Sequence, residues 1–174
     1  VVLSGYIGDE LGSCWLDLFA DADFAGERPA YKSTSGMIQF LRGPNSLFPL
    51  AAKSIIQTCR SHSTPEAEIV ALNSALILLG LPSLDIWECA FGRKPTLILR
   101  EDNETCIVVA RTGRNPTMRH LSRTHGVQVN WIHEVFVQNG HAELKYTLSA
   151  SQSADVFTKS FKDRTGWVVA CDLV

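Results

Sequence analysis

A mixed α/β sheet with helices packed against it is predicted by three features of the 174-residue sequence. Strand-like stretches separated by turn residues fill the chain up to about residue 56, the pattern of hairpin-linked antiparallel strands. From Ser63 onward helical and strand-like stretches alternate, as in βα units. The third feature is Leu16–Asp23, LDLFADAD, an apolar strand that ends on two carboxylates, Asp21 and Asp23. Open α/β sheets bind ligands beyond the carboxyl ends of their strands, so acids placed there ask for a cation or a proton.

Val1–Ser13, with glycines and the acids Asp9 and Glu10, reads as a linker or short hairpin leading into one domain over 14–174. The first strand is Cys14–Ala22. A turn around Gly26–Pro29 leads to a second, Thr34–Leu41, and Gly43-Pro44-Asn45 turns the chain into a third, Ser46–Ile56. Ser63 and Glu66 make an S-x-x-E capping box with Pro65 in the first turn, so a helix starts near Ser63 or Thr64. It is expected to run to about Leu79 and stop at Gly80. Pro82–Phe91 reads as a short helix, Pro95–Glu101 as an apolar strand, and Glu104–Arg111 as a helix closed by Gly113. Thr117–Gln138 carries a long helical pattern, His141–Tyr146 a last strand, and Ser151–Phe161 a last helix capped by Ser151 or Ser153.

Composition narrows the class. A chain of this length buries roughly 70% of its unfolded surface, and 45% hydrophobic with 20% charged residues is ordinary for a folded domain. The N-terminal residues lack a basic stretch followed by an apolar core, and the apolar run Ala75–Leu79 is far short of the ~20 residues that span a bilayer, so neither a secretion signal nor a membrane span is expected. Five scattered cysteines without C-x-x-C spacing argue for reduced thiols and against a zinc knuckle, and His120, His125 and His133 without paired cysteines nearby argue against a zinc site. A net charge of -2 provides no global basic field, so any nucleic-acid contacts must be local.

Four acids sit where a solvated charge is not the obvious choice: Asp21, Glu68, Asp102 and Asp155. Glu68 shares a helical stripe with Leu72, Ala75, Leu76 and Leu79, so it points where the core points. An unpaired buried carboxylate is expensive, and a metal ion compensates for it. Glu66 projects away from that stripe and reads as a capping acid near the helix dipole. Asp21 abuts the apolar strand, whereas Asp23 is expected where the chain turns. Asp102 ends a strand before a helix, where either it or Asn103 could cap; Asp155, early in the last expected helix, could simply complement the dipole.

The segments FADADFAGERPAYKSTSG, STPEAEIVAL, LREDNETCI and SQSADVFTKSF, in that order and with GRNPTMRHLSRTH between the last two, resemble the ribonuclease H domain of copia-type LTR retrotransposon polyproteins. The resemblance spans about Cys14–Phe161. It implies a ribonuclease H-like fold with a mixed five-stranded sheet flanked by helices. It implies endonucleolytic hydrolysis of the RNA strand of RNA–DNA hybrids during reverse transcription. Matched motif by motif, Asp21, Glu68, Asp102 and Asp155 correspond to that family's catalytic acids, which implies that they would hold two Mg²⁺ ions, with Mn²⁺ an alternative. Asp21 would bridge both ions, Glu68 and Asp102 would complete one site, and Asp155 would hold the other. An adjoining reverse transcriptase is the implied partner, and an intracellular, cytoplasmic virus-like particle the implied setting.

Cellular ribonucleases H carry a histidine in the loop before the last acid, and Thr147–Gln152 has none. Their basic helical handle is missing too, which leaves Lys32, Lys53, Arg60, Asn103 and Arg119 as candidate contacts to the hybrid. A catalytically idle connection or nucleic-acid-binding domain is the competing reading, and the intact set of acids argues against it. An integrase-type two-metal nuclease fits less well, because its glutamate lies on a late helix.

Overall fold

The computed structural model describes residues 3–27, 29–138, 140, 142–161 and 163–174. Strands β1 (Tyr6–Ile7), β2 (Trp15–Glu27), β3 (Lys32–Gly43), β4 (Ser46–Ile56), β5 (Leu97–Glu101) and β6 (Glu143–Tyr146) form one sheet in the order β1-β4-β3-β2-β5-β6. β2, β3 and β4 pair antiparallel, whereas β5 lies parallel to β2 and β6 parallel to β5. This is the expected mixed sheet flanked by helices. The sixth strand is β1, a two-residue pairing of Tyr6 and Ile7 with Leu47 and Ser46 that extends the antiparallel edge beyond the five strands expected.

Alternation along β2 and β3 separates two cores. Leu16, Leu18, Ala20, Met37 and Leu41 face the larger one, with Ile69, Leu72, Leu76, Leu97 and Leu99. Phe19, Ile38 and Phe40 face the smaller one, with Ala154. β2 is central and buried on both faces over its first two-thirds, which accounts for its near-continuous apolar run. The hairpin with β3 carries the pairing past Ala22 to Glu27, so Asp23 lies opposite Thr34 within the ladder and not at a turn. The pairing is irregular between Asp23 and Glu27, so Gly26 lies at a bulge before the hairpin turn.

Helix α1 (Thr64–Ala75) starts as expected: Ser63 Oγ accepts from the Glu66 N–H at 3.4 Å, with Pro65 in the first turn. It does not stop at Gly80. A π-turn over Leu76–Gly80 leads directly into α2 (Leu81–Phe91), giving one helical run, Thr64–Phe91. Gly80 is helical (φ -61°, ψ -67°), and a Cβ there would lie 2.9 Å from Leu18 Cδ2 and 3.1 Å from Leu97 Cδ2. The glycine allows close helix–sheet contact, while the wide turn accommodates Pro82, which lacks an N–H and obstructs a regular turn. By length and composition this run could cross a membrane, but Ile69, Leu72, Ala75 and Leu76 are fully buried.

Helix α3 (Glu104–Thr112) ends at Gly113 as expected. The long pattern over Thr117–Gln138 breaks into a 3₁₀ turn at Pro116–Met118, α4 (Leu121–Thr124), α5 (Val129–His133) and a π-turn at Glu134–Gln138. Gly126, with φ 71°, interrupts it. β6 begins at Glu143, and His141, where the last strand was expected to start, lies outside the described residues. The expected helix Ser151–Phe161 is instead two 3₁₀ turns, Ser149–Ser151 and Ser153–Phe157; Gln152, and neither serine, caps the second. A further helix, α6 (Arg164–Cys171), starts at Asp163, whose carboxylate accepts from the Gly166 N–H at 2.7 Å.

The turn at Ser153–Phe157 lies against β2 and β3. Gln152 Nε2 donates to the Ala20 carbonyl at 2.9 Å, and a Cβ on Gly36, opposite Asp21, would meet Thr158 Cγ2 at 2.5 Å and the Ala154 carbonyl at 2.9 Å. Gly36→Val should therefore push this segment off the sheet and lower stability by about 1–3 kcal/mol, measured by thermal or urea unfolding.

Candidate active site

Asp21, Glu68 and Asp102 come from three elements and meet at one end of the sheet. Asp21 is on β2, Glu68 on α1, and Asp102 follows β5; one carboxylate oxygen from each lies within 4.8 Å of the others. The approach of α1 is set by small residues: Ala67 and Ala71 meet Ala22, next to Glu68 and Asp21 in sequence. Asp155, on the turn that covers the opposite face, is within electrostatic reach of Asp21 and Asp102.

Burial dominates the electrostatics. It pushes Asp21 up to about 6, against the hydrogen bond from Thr158 and with added repulsion from Asp155 and Asp102. Burial, then the neighbouring Glu101 carboxyl, raises Glu68 far above the ordinary carboxylate range, and the Ala22 N–H opposes this. Asp155 is also raised by burial, against its hydrogen bond and ion pair with Lys159. Among the described residues, Glu68 Oε2 and Asp155 Oδ1 are buried without a hydrogen-bond partner. Buried, mutually repelling carboxylates with unpartnered oxygens are a donor set that suits divalent cations.

Asn103 caps α3, its Oδ1 accepting from the Cys106 N–H at 3.1 Å, which leaves Asp102 free for the cluster. Of the candidate hybrid contacts, Arg60 is occupied locally: Nε donates to the Ala30 carbonyl at 2.5 Å and the guanidinium lies over Tyr31. Lys32 is opposite Glu27 at the β2–β3 turn, and Lys53 is exposed on β4 opposite Met37. Arg119 lines a cavity of about 650 Å³ with Arg114, Pro116 and Val129, apart from the carboxylates. Among the described residues, none of these cations pairs with the acidic cluster.

Sequence reading missed three side chains at the site. Thr158 Oγ1 donates to Asp21 Oδ2, and Lys159 Nζ donates to Asp155 Oδ2. Glu101 is fully buried; its Oε1 accepts from the Asn103 N–H at 3.1 Å, and burial raises its pKa strongly. The signals were available: Asp155 and Lys159 have the i,i+4 spacing of a helical ion pair, and Glu101 has the parity of Leu97 and Leu99, which face the main core.

Among solved structures, the chain is similar to three that cover nearly all of it. One is the N-terminal RNase H domain of Rv2228c from Mycobacterium tuberculosis, solved as a fusion with maltose-binding protein (14% identity, TM-score 0.47, 92% of this chain and 98% of that one). Another is the prototype foamy virus protease-reverse transcriptase (12% identity, TM-score 0.40, 92% of this chain and 20% of that one). The third is the foamy viral protease-reverse transcriptase in complex with dsDNA (12% identity, TM-score 0.43, 93% and 91%). No protein-family model and no curated protein sequence matches the chain.

Two outcomes follow from the crowded charges. Asp102 repels Asp21, Glu68 and Glu101 and caps nothing, so Asp102→Asn should stabilise the metal-free protein by about 1 kcal/mol, or roughly 2–4 °C. Millimolar Mg²⁺ should raise the melting temperature of the wild type more than that of the variant. The second outcome concerns pH. Asp21 ordinarily titrates near 3.8 and in the folded chain near 6, so between these values the native state binds more protons than the unfolded chain. Its contribution is therefore most favourable below about pH 4 and is lost as pH rises through 6. In EDTA, the wild type should lose melting temperature relative to Asp21→Asn between about pH 4.5 and 7.

Proposed function

We propose that this domain hydrolyses the RNA strand of an RNA–DNA hybrid, as the ribonuclease H part of a copia-type retrotransposon polyprotein that also carries a reverse transcriptase. The observation that carries this reading is the meeting of Asp21, Glu68 and Asp102 within 4.8 Å where β2, α1 and β5 converge. Asp155 faces the same place from the opposite layer. An all-oxygen set of this kind suits hard cations such as Mg²⁺ or Mn²⁺, with water and phosphate oxygens in the remaining positions. Asp21, Glu68 and Asp102 would hold one ion, and Asp21 with Asp155 the second. Bound there, two divalent ions supply water activation and neutralisation of the leaving oxygen in an in-line displacement at phosphorus.

The protein's own side chains prepare that arrangement. The Thr158 hydroxyl orients Asp21, and Lys159 orients Asp155. Lys159 is half exposed and adds positive charge at the mouth of the site, where a phosphodiester backbone would arrive. With a net charge of -2, the domain relies on local contacts and on the shape and 2′-hydroxyls of an A-form-like duplex. The adjoining reverse transcriptase would supply much of the affinity by holding the hybrid at high effective concentration. The reaction belongs inside the cell, in a cytoplasmic particle, and needs no membrane.

A labelled RNA–DNA hybrid tests the reading. The wild type should cut the RNA strand only with Mg²⁺ or Mn²⁺ and leave single-stranded RNA and duplex DNA intact. Asp21→Asn and Glu68→Gln should each lower turnover by about 10³-fold or more, roughly 4 kcal/mol of barrier. Equal cutting of duplex DNA would sink the proposal, as would activity that survives both substitutions.

A further inference from the structure

A second cluster of metal-ligating side chains lies on the other side of α1. Glu66, two residues before Glu68, is buried, and its carboxylate joins the β4–α1 loop to the segment that follows α3. Glu66 Oε2 accepts from the His62 N–H at 3.1 Å, and Oε1 lies 3.1 Å from His120 Nε2 and 3.7 Å from His125 Nε2. One ligand atom from each of His62, Glu66 and His120 lies within 4.8 Å of the others, and the His62 and His120 rings meet edge to face at 5.2 Å.

His125 supplies an independent observation. Its side chain has no solvent exposure, yet among the described residues neither ring nitrogen makes a hydrogen bond of normal geometry. The groups facing it are the Glu66 carboxylate, the Arg60 backbone and the rings of His120 and His62. A buried imidazole beside a carboxylate, the Arg60 backbone and two more imidazoles, with neither nitrogen in a well-formed hydrogen bond, is a donor that a cation would use.

We propose that His62, Glu66, His120 and His125 form a four-coordinate site for zinc, separate from the acidic cluster. Three imidazoles and one carboxylate match the borderline softness of Zn²⁺, whereas the all-oxygen cluster at Asp21 suits harder ions. Bonds of ~2.0–2.2 Å in a tetrahedron place ligand atoms ~3.4 Å apart, against a spacing within 4.8 Å among His62, Glu66 and His120 and 3.7 Å from Glu66 to His125. Four protein ligands close the coordination sphere, so the role is structural. The ion would clamp the N-terminus of α1 to the 3₁₀ and α4 region. Cys59 already bridges the same segments, its thiol donating to the Thr124 carbonyl at 2.9 Å. The inference does not depend on the hydrolytic reading.

The test is calorimetric titration of the EDTA-treated, dialysed chain with Zn²⁺ in a millimolar excess of Mg²⁺, which competes for oxygen-only sites such as the acidic cluster. One equivalent should bind, and Co²⁺ in its place should give the intense visible band of a four-coordinate site. His62→Ala alters an exposed residue and should preserve the fold by circular dichroism; like His120→Ala, it should weaken Zn²⁺ binding about tenfold or more. Asp102→Asn should leave the stoichiometry at one. Absence of saturable binding by the wild type would overturn the proposal, as would unchanged binding in the His62→Ala/His120→Ala double variant or loss of binding in Asp102→Asn.

Discussion

Carboxylates withdrawn from water at the end of a buried strand repel one another, and the surrounding structure is arranged to hold them despite that repulsion. Asp21, Glu68, Asp155 and the adjacent pair Glu101 and Asp102 arrive from four parts of the chain, and desolvation is the largest cause of every shift resolved among them. The hydrogen bonds of Thr158, Lys159, Ala22 and Asn103 offset the cost only in part, since among the described residues Glu68, Asp155 and Glu101 each retain a buried oxygen without a hydrogen-bond partner. A cation would supply what these bonds do not, and this is the physical core of the proposed hydrolytic reading.

Close approach of backbone to backbone produces the crowding. Ala22, Ala67 and Ala71 bring α1 onto β2 beside Asp21, and Gly80 brings the continuing helix onto Leu18 and Leu97 further along. On the opposite face, Gly36 leaves the space into which Thr158 and the Ala154 carbonyl fit, and the Gln152 amide fastens that segment to β2. Larger side chains at these positions would separate the layers and, with them, the acids.

Glu66 and Glu68 present two different sets of neighbours from one helix. Two residues apart, they project about 200° from one another around the axis, so Glu68 turns toward oxygen ligands and Glu66 toward imidazoles. The S-x-x-E cap and the burial of Glu66 are compatible, because its carboxylate reaches the His62 N–H while its other oxygen meets His120. On the readings proposed above, hard and borderline cations would occupy opposite sides of the same helical turn and be kept apart by donor chemistry.

The sequence by itself determined the short-range features. Alternation placed the core strands, the Ser63–Glu66 cap located the start of α1, the helical stripe aimed Glu68 inward, and Asn103 beside Asp102 offered a cap that left the aspartate free. Only the tertiary structure decided how far these elements run and what they meet. Pairing with β3 carried β2 to Glu27, packing on Leu18 and Leu97 carried the helix through Gly80, and docking on the sheet held Ser153–Phe157 as a 3₁₀ turn. Glu101, Lys159 and the meeting of His62 with His120 acquire meaning only from those long-range contacts. Caps and periodicity act over a few residues of one segment, whereas sheet order and layer packing set which distant side chains share a site.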